Sequence, residues 1–329
     1  MTTLFDQPTD VPEPTDVPEP TEKLAPGLYD NVGEEYYAID AMSNSKLSLI
    51  EKKHPAYMKW RLENPKKTDA MSLGSAIHAA LLEPEHYKEH YKASVPPHTH
   101  DNWRHEKAAR LTAEGLTIEE VADEVGVKPG TIEKYLEIDD VAETLAHYRQ
   151  YPPSEYPCPS AEDIAEVDAI REVVMDHPTA AALLTLPGRR ELSALWTWRD
   201  IFCKAKIDLL TDSGIIVDVK TINDASTESI ERAMWDRGYH RQLAFYEWGL
   251  TELGVDVEDH LLVFVETAEP YGVRVIRPPA ETLKAGWRQI EDLSDMYYEA
   301  TTTNQYKAYS EDVEEIGIPY WAHNKLNVT

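Results

Sequence analysis

From Lys204 to Lys220 the chain reads Lys204-Ala205-Lys206-Ile207-Asp208-Leu209-Leu210-Thr211-Asp212-Ser213-Gly214-Ile215-Ile216-Val217-Asp218-Val219-Lys220. Thr-Asp-Ser-Gly is turn chemistry, so the apolar runs on either side should pair as an antiparallel hairpin. With the turn centred on Ser213, Asp208 and Asp218 face each other, their Cβ atoms about 5 Å apart. Strand alternation puts Lys220 on the face of Asp218 and Lys206 on the face of Asp208. Ile207, Val217 and Val219 point the other way, into a core.

Two carboxylates that close are costly unless something positive lies between them. A hard divalent cation satisfies them, because oxygen ligands suit Mg²⁺ and Mn²⁺. Such an ion polarises a scissile phosphate and acidifies a bound water. Lys220 can then orient that water or neutralise charge growing on phosphate oxygens. An ordinary surface hairpin of Asp and Lys pairs has the same spacing, and other features tip the balance. Asp218 interrupts an otherwise apolar strand. A helix downstream carries Tyr239, Gln242 and Tyr246, the last two one turn apart on one face. Upstream, Gly74 and His78 stand one turn apart on an apolar helix, although a lone histidine there is more often a core residue.

Other elements must hold these residues in place. Residues 8–22 read PTDVPEPTDVPEPTE, a proline-dense acidic repeat that builds neither helix nor central strand and is expected to be extended; docking to a partner is the alternative. Order should begin near Tyr29. Ser43 or Asn44 can cap a helix opening at Asn44, and His54-Pro55 ends or interrupts it. A strongly helical stretch runs from Met71 to Leu82; residues 88–105 are polar and read as irregular, and a helical block follows to about residue 150. The loop PPSEYPCPS and a helix from Ala161 to His177 come next. Strand signals then cluster in LSALWTW, FCKAKIDLLT and GIIVDVKT. Helices at 226–237 and 239–253, strands HLLVFVET and GVRVIR, and a helix at 280–303 complete an α/β pattern with a mixed sheet.

The chain has 329 residues, 42% of them hydrophobic, enough for one large domain or two small ones. Its net charge of -28 disfavours tight, unspecific coating of nucleic acid. Six acids and no base lie within residues 1–22, and a bound cation reverses the sign of an acidic site, so contact with DNA should be confined to a basic groove and the metal site. Two cysteines, Cys158 and Cys203, suit a reducing compartment and are too few for a four-cysteine cluster. No apolar run is long enough to span a membrane and no basic-then-apolar leader opens the chain, so a cytoplasmic location without membrane contact is expected.

Taken together, these motifs resemble the PD-(D/E)XK nuclease superfamily in its RecB-like branch, and in particular the C-terminal nuclease domain of RecE (exonuclease VIII) and its phage relatives. The family's G-x-x-x-H matches Gly74 to His78, its D…D-x-K core matches Asp208, Asp218 and Lys220, and its Q-x-x-x-Y matches Gln242 and Tyr246. The opening Tyr-Tyr-Ala-Ile-Asp…Ser-Asn-Ser-Lys-Leu and the closing Ile-Pro-Tyr-Trp also look familial, so the likeness covers roughly residues 36–321. The resemblance implies a restriction-endonuclease-like α/β core and a metal-dependent, ATP-independent exonuclease. Such an enzyme digests one strand of linear duplex DNA from its 5′ end, leaving a 3′ single strand for an annealing protein. It implies that His78, Asp208, Asp218 and the carbonyl of Val219 ligate Mg²⁺ or Mn²⁺ and that Lys220 is the catalytic lysine. Gln242 and Tyr246 would support the site or contact DNA, and Glu191 would be an additional acid. Family members can be ring-shaped homo-oligomers, but nothing in the residues establishes a ring.

Residues 105–138 depart from that pattern and resemble a helix-turn-helix, with Ala122 at the helix crossing, Gly126 at the turn and Ile132 in the core of the second helix. Such a unit sets its second helix in the major groove. Here that helix offers only Lys128, Thr131 and Lys134 against Glu133, so an insertion that merely packs is the competing reading. The expected organisation is an acidic Pro-rich tail (1–28), an N-terminal helical part (29–104), the insertion (105–138) and the nuclease core (139–329). Two rival functions remain: a DNA-binding or regulatory protein on a degenerate nuclease fold, and a RecB-like nuclease with another repair task. The intact Asp, Asp, Lys and His set disfavours the first, since a dead site has no use for clustered like charges.

Overall fold

The computed structural model describes residues 24–30, 32–33, 35–64, 69–91, 102–138, 141–142, 145–146 and 161–318. Cys158, the loop around it, most of the acidic tail and the final Pro-Tyr-Trp lie outside the described residues. Two compact units are distinguished, Met1–Asn44 with Lys66–Ile290, and Ser45–Pro65 with Glu291–Thr329.

The first unit is built on a six-stranded sheet in the sequential order β1 (Gly27–Tyr29), β2 (Gly188–Trp198), β3 (Ile201–Thr211), β4 (Ile215–Ile222), β5 (Asp259–Glu266) and β6 (Val273–Ile276). Neighbours are antiparallel except β4 and β5, which pair in parallel across eight positions from Ile215↔Asp259 to Ile222↔Glu266. A parallel pair needs a long crossover. It is supplied by two helices, α11 (Thr227–Asp236) and α12 (Tyr239–Glu252). The sheet is therefore mixed and flanked by helices, a restriction-endonuclease-like α/β architecture.

The hairpin turn behaves as its residues dictate. The amide of Gly214 donates to the Thr211 carbonyl at 2.9 Å, and Gly214 adopts φ 79°, a conformation glycine takes without steric cost. Apolar residues of β3, β4 and β5 (Leu209, Val217, Val219 and Val263 among them) share one core with Ile77 and Ala80 of α4 (Asp69–Leu82), Val167 and Ile170 of α9 (Ala161–Asp176), and Leu183 of α10 (Pro178–Leu184). Ile207 is fully buried as well. Trp196 on β2 packs against Phe245 and Trp248 of α12, with ring centroids 5.0 and 5.7 Å apart.

Lys204 ties the N-terminal segment to β3. Its buried ammonium donates to the carbonyls of Tyr36 and Ile39, each at 2.7 Å. Several elements escape the sequence patterns, among them α1 (Glu35–Ala38) and α5 (Pro84–His90), and the segment 88–105 is helical rather than irregular at 88–90 and from 102 onward. β1 is three residues long and starts before Tyr29; α10 begins at Pro178, where His177 ends the preceding helix and accepts from the Ala180 amide at 3.1 Å.

Within the same unit, α6 (Asn102–Ala113), α7 (Ile118–Val125) and α8 (Pro129–Leu136) bury Ala108, Leu111, Val121, Ala122, Val125 and Ile132 together. Thr117 and Glu120 form a reciprocal capping box at the start of α7, and Gly126 closes that helix at φ 75°. The connection to α8 is the tripeptide 126–128, the spacing of a helix-turn-helix.

Candidate active site

The strand register places three acids in one row. Arg190↔Leu209 and Leu192↔Ile207 bracket Glu191 opposite Asp208, and Leu209↔Val217 with Leu210↔Ile216 carries the next step to Asp218 opposite Asp208. The backbone ladder is missing at this row. Glu191 has φ 49°, a left-handed conformation that costs a non-glycine residue about 1 kcal/mol. At β4 the Val219 amide donates to the Asp208 carboxylate at 2.8 Å instead of to a strand partner. The sheet opens where the acids sit.

His78 reaches the row from α4, its Nδ1 3.5 Å from Asp208 Oδ2. One ligand atom each from His78, Glu191 and Asp208 lies within 4.8 Å of the others, a group that could hold a cation. Asp218 is fully buried, and neither of its carboxylate oxygens has a hydrogen bond of acceptable geometry. Lys220 Nζ is 2.5 Å from Asp218 Oδ2, a charge contact rather than an aligned hydrogen bond, and lies 4.9 Å from the centre of the Tyr239 ring. Gln242 Nε2 donates to Tyr246 Oη at 2.6 Å. Glu191 also holds Lys206 at 2.8 Å.

Electrostatics agree with this geometry. Burial pushes Asp208 up to about 7, with Glu191 adding to the rise and Lys220 opposing it. Burial likewise pushes Asp218 up to about 6, opposed by Lys220 and reinforced by Asp208. Burial, then Lys220, lowers His78 and keeps its imidazole neutral, the form that ligates metal. Burial works against the Lys220 ammonium too, but Asp218 and Asp208 outweigh it and hold the group above the usual lysine value. Tyr246 is pushed well above its ordinary value by burial and by the charges of Asp218 and Asp208. The residues therefore fit a hard cation. They offer carboxylate oxygens, one neutral imidazole and a buried carboxylate without a well-formed hydrogen bond.

His78, Glu191, Asp208, Asp218, Lys220, Gln242 and Tyr246 thus occupy one neighbourhood of the first unit. One supporting group has no motif to announce it. Arg241, fully buried between Gln242 and His240, donates from Nε to Asn44 Oδ1 at 2.9 Å and from Nη1 to Gln289 Oε1 at 3.2 Å. Asn44 is the first residue of α2 (Asn44–Lys52), and its side chain accepts this long-range bond. A charged residue next to a helical Gln-x-x-x-Tyr pair was the only hint in the sequence.

Among solved structures, the fold is similar to a Eubacterium rectale protein provisionally named an exonuclease, at 11% identity and a TM-score of 0.50, covering 88% of this chain and 94% of that one. A phage-related exonuclease from Haemophilus somnus also aligns, at 14% identity over 60% of this chain and 96% of its own, with a TM-score of 0.28. No curated protein matches. Residues 43–317 match the family described as a PDDEXK-like domain of unknown function, DUF3799, and the chain belongs to that family.

Proposed function

We propose that this protein is a divalent-metal-dependent deoxyribonuclease that digests linear duplex DNA from its ends, in the 5′ to 3′ direction, leaving 3′ single strands for an annealing partner. The observation that carries the nuclease reading is the row Glu191, Asp208, Asp218 with Lys220 at its end. Lys206 and Lys220 offset Glu191 and Asp218, and a divalent cation among the acids would offset the charge that remains. The exonuclease polarity and the annealing partner rest on the likeness of the motifs to the exonuclease VIII domain.

His78, Asp208, Asp218, Glu191 and the Val219 carbonyl would hold Mg²⁺ or Mn²⁺. When bound, the ion supplies a Lewis acid for the phosphate and a more acidic water. Asp208, braced by the Val219 amide, keeps its carboxylate aimed into the row. Lys220, screened by Tyr239, keeps a positive charge at the end of the row, where it can stabilise charge developing on the phosphate oxygens. Gln242 and Tyr246 brace each other on the helix lining the site. The intact set of Asp208, Asp218, Lys220 and His78 disfavours a degenerate site.

The test is linear duplex DNA labelled separately at each 5′ and each 3′ end, incubated with the purified protein and Mg²⁺, beside closed circular DNA and an EDTA control. Early release of 5′ label with spared circles is expected. Cutting in EDTA overturns metal dependence; efficient cutting of closed circles moves the protein to the endonucleases; early release of 3′ label reverses the polarity.

A further inference from the structure

The second compact unit carries a surface unlike the rest of the chain. Between Ser45 and Asn64 five bases (Lys46, Lys52, Lys53, Lys59, Arg61) meet two acids (Glu51, Glu63), a net charge of +3 inside a protein of -28. The helix α3 (Pro55–Glu63) is started by His54, whose Nδ1 accepts from the Tyr57 amide at 3.1 Å. On and beside it the bases interleave with rings. Tyr57 and Trp60 stack at 5.9 Å with an interplanar angle of 26°. Lys53 Nζ lies 4.8 Å from the centre of the Tyr57 ring. The segment after α13 (Ala280–Thr303) lies against α3, because the Ala56 amide donates to the Lys307 carbonyl at 3.1 Å. That segment adds Tyr306, with Lys59 Nζ 4.7 Å from its centre, and Tyr309, edge-on to His54 at 4.7 Å. Trp60 is 52% exposed and Tyr309 69%.

Trp60 and Tyr309 are exposed, Tyr57 and Tyr306 are half-buried, and a lysine stands over each of the latter two. We propose that this face binds single-stranded DNA. Exposed rings offer faces on which unpaired bases stack, and lysines spaced among them follow the phosphates. Duplex DNA fits less well, because its base faces are already stacked within the helix. Besides Glu51 and Glu63, the acids of this unit are on α13 (Glu291, Asp292, Asp295, Glu299) and at residues 311–315, and Glu299 is taken up by Lys307 at 2.6 Å. Single-strand binding at this face does not depend on the nuclease reading, and it is measured without cleavage.

The experiment is fluorescence anisotropy of labelled oligo(dT), ~20 nucleotides to span one site, with the full-length protein in EDTA. Trp60→Ala should weaken binding about tenfold, while Trp60→Phe, which keeps a ring, should stay close to wild type. Lys53→Glu and Lys59→Glu should also weaken binding and flatten the plot of affinity against salt, by about 0.7 for each phosphate that is no longer neutralised. All these side chains are exposed or half-buried, and the phenylalanine and lysine variants keep the test independent of any misfolding of Trp60→Ala. Unchanged affinity in the Ala and Glu variants overturns the proposal. So does equal, equally mutation-sensitive binding of a closed duplex hairpin, which makes the face a duplex contact. So does binding of a peptide spanning residues 8–22 at this face while oligo(dT) fails to bind, which makes the acidic repeat its occupant.

Discussion

At the residue scale, the proposed function assigns the row of acids to ligation and Lys220 to catalysis. Asp208→Asn and Asp218→Asn should each abolish stabilisation by Mg²⁺ in a thermal melt and reduce cleavage ~100-fold or more, because each removes an oxygen charge the cation needs. Lys220→Ala should keep the Mg²⁺-induced melting shift yet lose turnover to a similar extent, since the lysine acts on the transition state rather than on binding. Loss of the shift in that variant would make Lys220 structural. The pKa directions give a pH test with a definite sign. Asp208 and Asp218 titrate near 7 and 6 in the metal-free fold, against 3.8 ordinarily. Folded-state values raised in this way contribute stability that is complete below the ordinary value and lost as pH rises through 6 to 7. The cation binds only the ionised pair, so the Mg²⁺-induced shift should be small at acid pH and grow through this window. A shift that is flat, or larger at low pH, would refute the assignment of these carboxylates as ligands.

Two glycines separate sequence motif from packing at the element scale. Gly74, in the Gly-x-x-x-His stretch of α4, has room for a methyl group; an added Cβ meets only Thr221 Oγ1 at 3.8 Å. Gly74→Ala should therefore be neutral or stabilising by up to about 1 kcal/mol, the difference in helix propensity. Gly249, which belongs to no motif, lets α12 rest on β2, and a Cβ there would come within 2.6 Å of Trp196 Cζ3. Gly249→Ala should destabilise by about 1–3 kcal/mol as the indole or the helix shifts. Thermal melts of the two variants should move in opposite directions; equal effects would show that helix propensity, not contact, decides both. At Glu191 stability and function should separate. Glu191→Gly relieves the left-handed backbone and removes an acid from the row, so the metal-free protein should melt higher while its Mg²⁺ response falls. A full Mg²⁺ response would exclude Glu191 from the site.

For the molecule as a whole, the three-helix insertion and a charge of -28 bear on the proposed DNA substrate. Replacing residues 107–138 with a Gly/Ser linker should leave the sheet and metal-dependent cleavage in place, because α6, α7 and α8 have a core of their own. The same replacement removes Ala109, against which Val141 and Leu145 are buried, so a linker spanning 102–146 should give the more soluble protein. If the helix-turn-helix grips duplex DNA, the deletion should flatten the salt dependence of duplex binding by about 0.9 for each phosphate it had neutralised. An unchanged slope would make the insertion a packing device. Collapse of the nuclease fold would show that these helices belong to its core.

Local chemistry made much of the site legible before any fold was known. The Thr-Asp-Ser-Gly turn sets the hairpin register through its own backbone preferences, and the observed pairs Leu209↔Val217 and Leu210↔Ile216 follow from it. Gln242 and Tyr246 share a helix face by periodicity, and the apolar run around His78 announces its helix. Long-range pairing decided the rest. Glu191 joins the row because β2 pairs beside β3, its left-handed backbone arises only in that sheet, and no pattern around it marks either. The parallel pairing of β4 with β5 depends on how a two-helix crossover folds back. The bond from Arg241 to Asn44 spans 197 positions, and the contact of Ala56 with Lys307 joins segments at opposite ends of the chain. Periodicity and turn propensity act over a few residues, so they specify which side chains share a helix face or a hairpin rung. Contacts between distant segments form only when the core excludes water, and no residue carries a local record of them.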